Sequence, residues 1–164
     1  MKKAVFLLIA ITLICTSIYY DINIYRGEYT PVFMERSELE RSVFYVAQGR
    51  ELENTGKIYY KAPYIFVNER YKGVHVIDNT IPADPRNIGF IVAPGCIDIA
   101  VKGNVMYIDN AVDLVAFDLD SKQVTHREKN VFPEPIAPNG DYYSSRYDRP
   151  SNDAVLVGWK KSDY

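Results

Sequence analysis

The sequence predicts an all-β fold: two propeller-like blades of antiparallel strands, an incomplete β-propeller, with a short N-terminal helix. An internal repeat is the first observation. Lys61-Ala62-Pro63-Tyr64-Ile65-Phe66-Val67-Asn68 aligns with Lys102-Gly103-Asn104-Val105-Met106-Tyr107-Ile108-Asp109 at an offset of 41 residues, and Gly73-Val74-His75-Val76-Ile77-Asp78 aligns with Asp113-Leu114-Val115-Ala116-Phe117-Asp118 at 40. The second observation is the period itself, because short apolar runs separated by turn formers over about 40 residues are what one four-stranded blade needs. The third is composition: 14 tyrosines, together with valine, isoleucine and phenylalanine, bias the chain toward strands.

Residues 1–20 stand apart from the fold as a signal peptide or membrane anchor. Met1-Lys2-Lys3 is basic and Ala4 to Ser17 is an uncharged apolar run, of signal-peptide length and marginal for crossing a hydrocarbon core of about 30 Å. Cys15 closes that run where a bacterial lipoprotein carries its lipid, although Ile14 stands where a lipobox prefers a small residue. An uncleaved anchor and ordinary cleavage after Ser17 are the alternatives, and all three place the remainder outside the cytoplasm. Residues 21–55 read as a tether followed by the short helix. Asp21 to Pro31 has mixed polarity and a proline that stops a helix, whereas Ser37-Glu38-Leu39-Glu40 is a capping-box pattern. Leu39 and Val43 share one face at i and i+4, which predicts a narrow apolar stripe lying against the first blade. Glu35, Arg36, Glu38, Glu40 and Arg41 alternate in sign and predict a solvated face.

Residues 56–132 hold the two repeats. Lys57 to Lys61, Tyr64 to Glu69, Val74 to Asp78 and Ile88 to Val92 are runs of strand length, separated by Ala62-Pro63, Arg70 to Gly73 and Asn79 to Pro85. Tyr64 to Val67 is apolar on both faces, as a strand packed between neighbouring sheets requires. The second set is Ile97 to Val101, Val105 to Asp109, Leu114 to Asp118 and Gln123 to Arg127. Residues 133–164 form a proline-rich segment and a final strand. Pro133 to Asp141 favours extended or turn conformations, Tyr142 to Asp153 is polar without period, and Ala154 to Lys160 completes a blade edge or begins a third blade.

Tyr64 to Asn68, Gly73 to Asp78 and the following Pro82-Ala83-Asp84-Pro85 resemble the LVIVD repeat of bacterial exported proteins. Pro31 to Leu39, Gly56-Lys57-Ile58-Tyr59 and Asp98 to Asn104 resemble the opening of a subgroup of cell-envelope lipoproteins that bear it. The resemblance covers Pro31 to Pro133 and implies a propeller-like fold, an envelope location and no established enzymatic activity. The second copy departs from it, with Asp120-Ser121-Lys122 in place of the P-x-x-P turn. Two blades leave open faces and strand edges, so the reading is of a truncated member of this family, or of a chain whose open side is covered by a partner, a second copy or the tail after Phe132.

Chemistry is sparse. A net charge of -2 gives no pull toward nucleic acid. Cys15 and Cys96 are the only cysteines, so no disulfide framework is expected, and Cys96 reads as a small buried residue. His75 lies in an apolar strand and His126 in a polar one, and both read as structural. Asp78 and Asp118 share a repeat position at a strand end and are expected to accept hydrogen bonds from turn amides. Asp118-Leu119-Asp120-Ser121 begins like a calcium loop but lacks the glycine and closing glutamate. No catalytic, cofactor-binding or metal residues are therefore assigned, and no cofactor is expected. Two functions follow: a noncatalytic, envelope-tethered scaffold or interaction module that meets a protein or glycan and can self-associate through open blade edges, or a fragment of an exported hydrolase with Asp78, Asp98, Asp109, Asp113 and Asp118 converging at the propeller centre.

Overall fold

The computed structural model describes residues 28–140 and 149–162. The apolar run and Cys15 lie outside them, and among the described residues no helix is long and apolar enough to cross a membrane. The elements are β1 (Tyr29–Glu35), α1 (Arg36–Leu39), β2 (Phe44–Val46), β3 (Thr55–Lys61), β4 (Tyr64–Glu69), β5 (Gly73–Asp78), β6 (Arg86–Val92), β7 (Ile99–Lys102), β8 (Val105–Asn110), β9 (Asp113–Asp118), β10 (Gln123–Glu128) and β11 (Ala154–Lys161). All strand pairs are antiparallel. Sheet I runs β2-β6-β5-β4-β3, sheet II runs β10-β9-β8-β7, and β1 with β11 makes sheet III. The fold is all-β and its sheets are open.

The repeat is present in the hydrogen-bond register as well as in the sequence. In sheet I Ile65 pairs with Ile77, Phe66 with Val76 and Val67 with His75. In sheet II Met106 pairs with Phe117, Tyr107 with Ala116 and Ile108 with Val115. These are the same pairs displaced by one repeat. The offset falls from 41 to 40 between the two blocks because the β4–β5 turn holds Arg70, Tyr71 and Lys72, whereas the β8–β9 turn holds only Ala111 and Val112.

Alternation along each strand then decides which side chains meet. One face of sheet I presents Phe66, Val74, Val76 and Ile91 to a face of sheet II carrying Met106, Ile108, Val115 and Phe117, and together they form the main core. Burying each such side chain contributes about 1.5–3 kcal/mol. Across the gap β3 lies against its counterpart β7, and β2, the additional strand of sheet I, lies against β10. A second cluster of Leu39, Ala111, Val112, Val155 and Val157 seats sheet III on the β8–β9 turn.

Three expectations are corrected. The tether ends earlier than the sequence suggested, because Tyr29 to Glu35 is a strand paired with β11, and Pro31 is accommodated in this two-stranded sheet. In place of a capped helix there is one turn, Arg36–Leu39, with Glu35 at the N-cap position and no side-chain cap. The Glu40 amide that Ser37 was expected to cap donates to the Arg36 carbonyl at 3.1 Å, and the Arg36 amide donates to the Asp153 carbonyl at 3.2 Å. Leu39 packs with the β8–β9 turn and β11 rather than on sheet I, and Arg36 points inward to an aspartate instead of into solvent. The final strand does not complete an edge of sheet I or sheet II; it pairs with β1 in a third, two-stranded sheet.

Candidate functional site

Asp78 and Asp118 end equivalent strands and each holds the turn that follows, Asp78 through the residue two positions on and Asp118 through the residue three positions on. The Thr80 amide and hydroxyl donate to Asp78 Oδ1 at 2.8 and 2.6 Å. The Ser121 amide and hydroxyl donate to Asp118 Oδ1, both at 2.8 Å. Bonds from Thr80 hold the Asp78 carboxyl below its ordinary value, and bonds from Ser121 do the same for Asp118.

Asp98 and Asp109 share the loop that enters β7. Asp109 Oδ1 accepts the amides of Ile97 and Asp98, each at 2.9 Å, and Asp98 pairs with Lys57. Burial raises the Asp109 carboxyl, and the two amide bonds only partly oppose it. Cys96 sits beneath, fully buried, with Asn68 Nδ2 at 3.1 Å from Sγ. Burial pushes its thiol well above the ordinary range, so no thiolate nucleophile forms there. Maleimide labelling of the native full chain is expected to leave Cys96 unmodified and to reach it only after denaturation, as read by peptide mass. Equal labelling in both states would contradict this.

Asp113 lies apart from these, at the start of β9 with no exposed side-chain surface. Both its oxygens accept from Arg36 Nη1 at 2.8 Å, Oδ2 also accepts from Arg127 Nη1 at 2.8 Å, and Oδ1 accepts the Asn130 amide at 3.1 Å. Burial pushes the carboxyl up, yet Arg36, the Asn130 amide and Arg127 outweigh it and hold it below its ordinary value. Beside this group opens a cleft of ≈ 360 Å³ lined in part by Arg36, Phe132, Glu134, Arg149 and Asp153. Its guanidiniums are already engaged, Arg36 by Asp113 and Asn130, and Arg149 by both Glu134 oxygens and the Ala154 carbonyl. An anion entering the cleft has to displace a carboxylate, so the cleft carries no assigned ligand.

A polar group that the sequence reading took only as a structural histidine lies on the other face of sheet I. His75 is fully buried, with Nε2 2.6 Å from Glu69 Oε2 and Nδ1 3.1 Å from Asn87 Nδ2. Asn87 Nδ2 also donates to the Arg50 carbonyl at 2.7 Å, which orients the amide so that Nδ1 accepts and Nε2–H donates to Glu69. Burial raises the Glu69 carboxyl, but Lys72 at 2.8 Å and His75 bring it below its ordinary value. Both ring nitrogens are occupied, so neither is open to a substrate proton. His126 is exposed beside Glu128 at 3.6 Å.

His75 and Asp113 were both marked in the sequence by departures from the repeat. His75 stands where the second copy has Val115, and Asp113 where the first has Gly73. Among the described residues no group of three or more histidine, cysteine or acidic side chains is arranged to hold a metal ion. No family model matches the chain, and no curated protein or solved structure is significantly similar to it.

Proposed function

We propose that this chain is a noncatalytic, exported and envelope-tethered scaffold or interaction module of the LVIVD-repeat kind, its two repeats acting as propeller-like blades. The observation that carries this reading is the fate of the five aspartates. Asp78 and Asp118 hold the turns that follow equivalent strands, Asp109 ties the β7 entry loop, Asp98 pairs with Lys57 and Asp113 holds two arginines. Apart from Asp98 and Asp109, which share one loop and are engaged by Lys57 and by backbone amides, these carboxylates serve separate parts of the architecture, whereas a carboxylate-based glycosidase needs two of them facing a shared space. Face-to-face packing of sheets I and II with β3 beside β7 supports the blade reading. Contact with a protein or glycan falls to exposed aromatic positions, of which Tyr107 on sheet II is 37% exposed.

The test places a photo-crosslinking residue at position 107 of the full chain in intact envelopes. Discrete adducts to one protein or to cell-wall glycan are expected. The reading fails if there is no adduct while purified chain hydrolyses chromogenic ester, phosphate or glycoside substrates in a manner abolished by Asp98→Asn with Asp109→Asn.

A further inference from the structure

We propose that the outer face of sheet I docks a second copy of this chain, making a two-fold dimer centred on Ile58, Tyr60, Ile65 and Ile77. The inference rests on reading the chain as an interaction module, and it names one of the partners.

The shared register supplies the argument. Ile58 pairs with Val67 and Tyr60 with Ile65, as Ile99 pairs with Ile108 and Val101 with Met106. Ile58, Tyr60, Ile65 and Ile77 therefore occupy in sheet I the places of Ile99, Val101, Met106 and Phe117 in sheet II. In sheet II that face lies under sheet I, leaving Ile99, Met106 and Phe117 exposed by only 8, 0 and 1%. Among the described residues no sheet lies over the same face of sheet I, and Ile58 and Tyr60 are 70 and 62% exposed. The segment between β2 and β3 covers the His75 end, where Arg50 stacks 4.3 Å over Phe90, and leaves the Ile58–Tyr60 end bare. One sheet thus carries a core-type surface facing water.

The chemistry of the opposite end selects the occupant. Across the buried face of sheet I runs the row Tyr59, Phe66, Val76, Gly89. Its counterpart on the outer face of sheet II is Ala100, Tyr107, Ala116, His126. Bulk is lost at two positions and polar atoms are added at the other two, as in the solvent-facing cap of a repeat array. Head-to-tail stacking, with sheet II of one copy on sheet I of the next, would put this thin, polar row where a bulky apolar one is needed. The same face of another copy matches the bare face in apolar character, and such a contact closes after two chains.

Charge and area agree. Lys61 alternates to the other side of β3, and Lys57 is held by Asp98, so neither lysine of this strand lies in the patch that a two-fold axis brings together. The bare side chains present on the order of 300 Å², the lower end of the largest patches that monomers expose, which are often functional. A stable dimer buries about 800 Å² per partner, so these four residues form the apolar centre and flanking polar surface forms the rim.

The experiment uses the full chain in membranes, with Ile58→Cys and a short bis-maleimide, wild type serving as the control for Cys15 and Cys96. A new band at twice 18.8 kDa is expected from Ile58→Cys and none from Tyr107→Cys. Adding Tyr60→Asp to Ile58→Cys should lower that band about tenfold without changing the circular dichroism spectrum; if this variant loses its fold, Tyr60→Gln replaces it with the same expectation. Three results overturn the proposal: no band above wild type, an Ile58→Cys adduct to a different protein, or a ladder from both cysteine variants, which is the signature of head-to-tail stacking. Loss of the Ile58 dimer with the position-107 adduct intact removes only the dimer, whereas loss of that adduct with the dimer intact removes only the partner-binding reading.

Discussion

Asp113→Ala is expected to destabilise the protein by about 3–5 kcal/mol, the cost of removing one partner from a buried ion pair. The substitution strands Arg127, whose side chain is only 10% exposed, and detaches Arg36 and the Asn130 amide in the same step. It therefore loosens β9, the turn that leads from β1 and the segment after β10 together. Urea unfolding of the full chain in detergent measures the loss, and a value below about 1 kcal/mol would show that the three-way contact contributes little. The pH dependence has a definite sign. Because the folded carboxyl is held below its ordinary value, its contribution is present above about pH 4 and disappears as pH falls through the folded value. Wild type and Asp113→Asn should thus differ most near neutrality and converge in acid. Curves that stay parallel down to pH 2 would contradict this.

Phe66→Ala and Tyr107→Ala fall on equivalent repeat positions and are expected to behave oppositely. Phe66 is 1% exposed in the core between sheets I and II, and truncating it removes its burial and leaves a cavity, at a cost of about 3–5 kcal/mol. Tyr107 faces outward from sheet II, and its truncation should cost under about 1 kcal/mol. Equal losses at the two positions would mean that sheet II is covered on both faces, against the packing described above. The comparison isolates tertiary burial, since strand type, cross-strand pairing and repeat position are held nearly constant.

The strands from β3 to β10 were legible because each is an apolar run next to its own partner. Hairpin neighbours lie a few residues apart, and turn formers such as Ala62-Pro63 and Gly103-Asn104 stand between them, so the pattern needed for pairing is local. Strand β1 was not legible for the opposite reason. Tyr29 to Glu35 has no partner nearby in the chain, and what makes it a strand is pairing with residues 154–161. Strand β2 has only three residues, too few to show a period. The capping-box pattern at Ser37 misled because the turn starts at Arg36, ahead of Ser37, so that the Arg36 carbonyl takes the Glu40 amide and Asp153 takes the Arg36 amide. The polar clusters carry only half a signal in the sequence: His75 and Asp113 depart from the repeat, but their partners Glu69, Asn87, Arg36 and Arg127 come from other elements and carry no shared spacing.

By itself the sequence determined the repeat, the all-β class and the placement of the turns, since alternation, β-branched content and turn residues act over a few positions. The tertiary structure decided which face of each repeat is core, which is cap and which is bare. Ile65 and Met106 are equivalent in sequence and in register, yet Met106 is sealed beneath sheet I and Ile65 has no sheet of the described residues above it. Burial depends on what stands across the gap, and a strand's own residues cannot specify its neighbour.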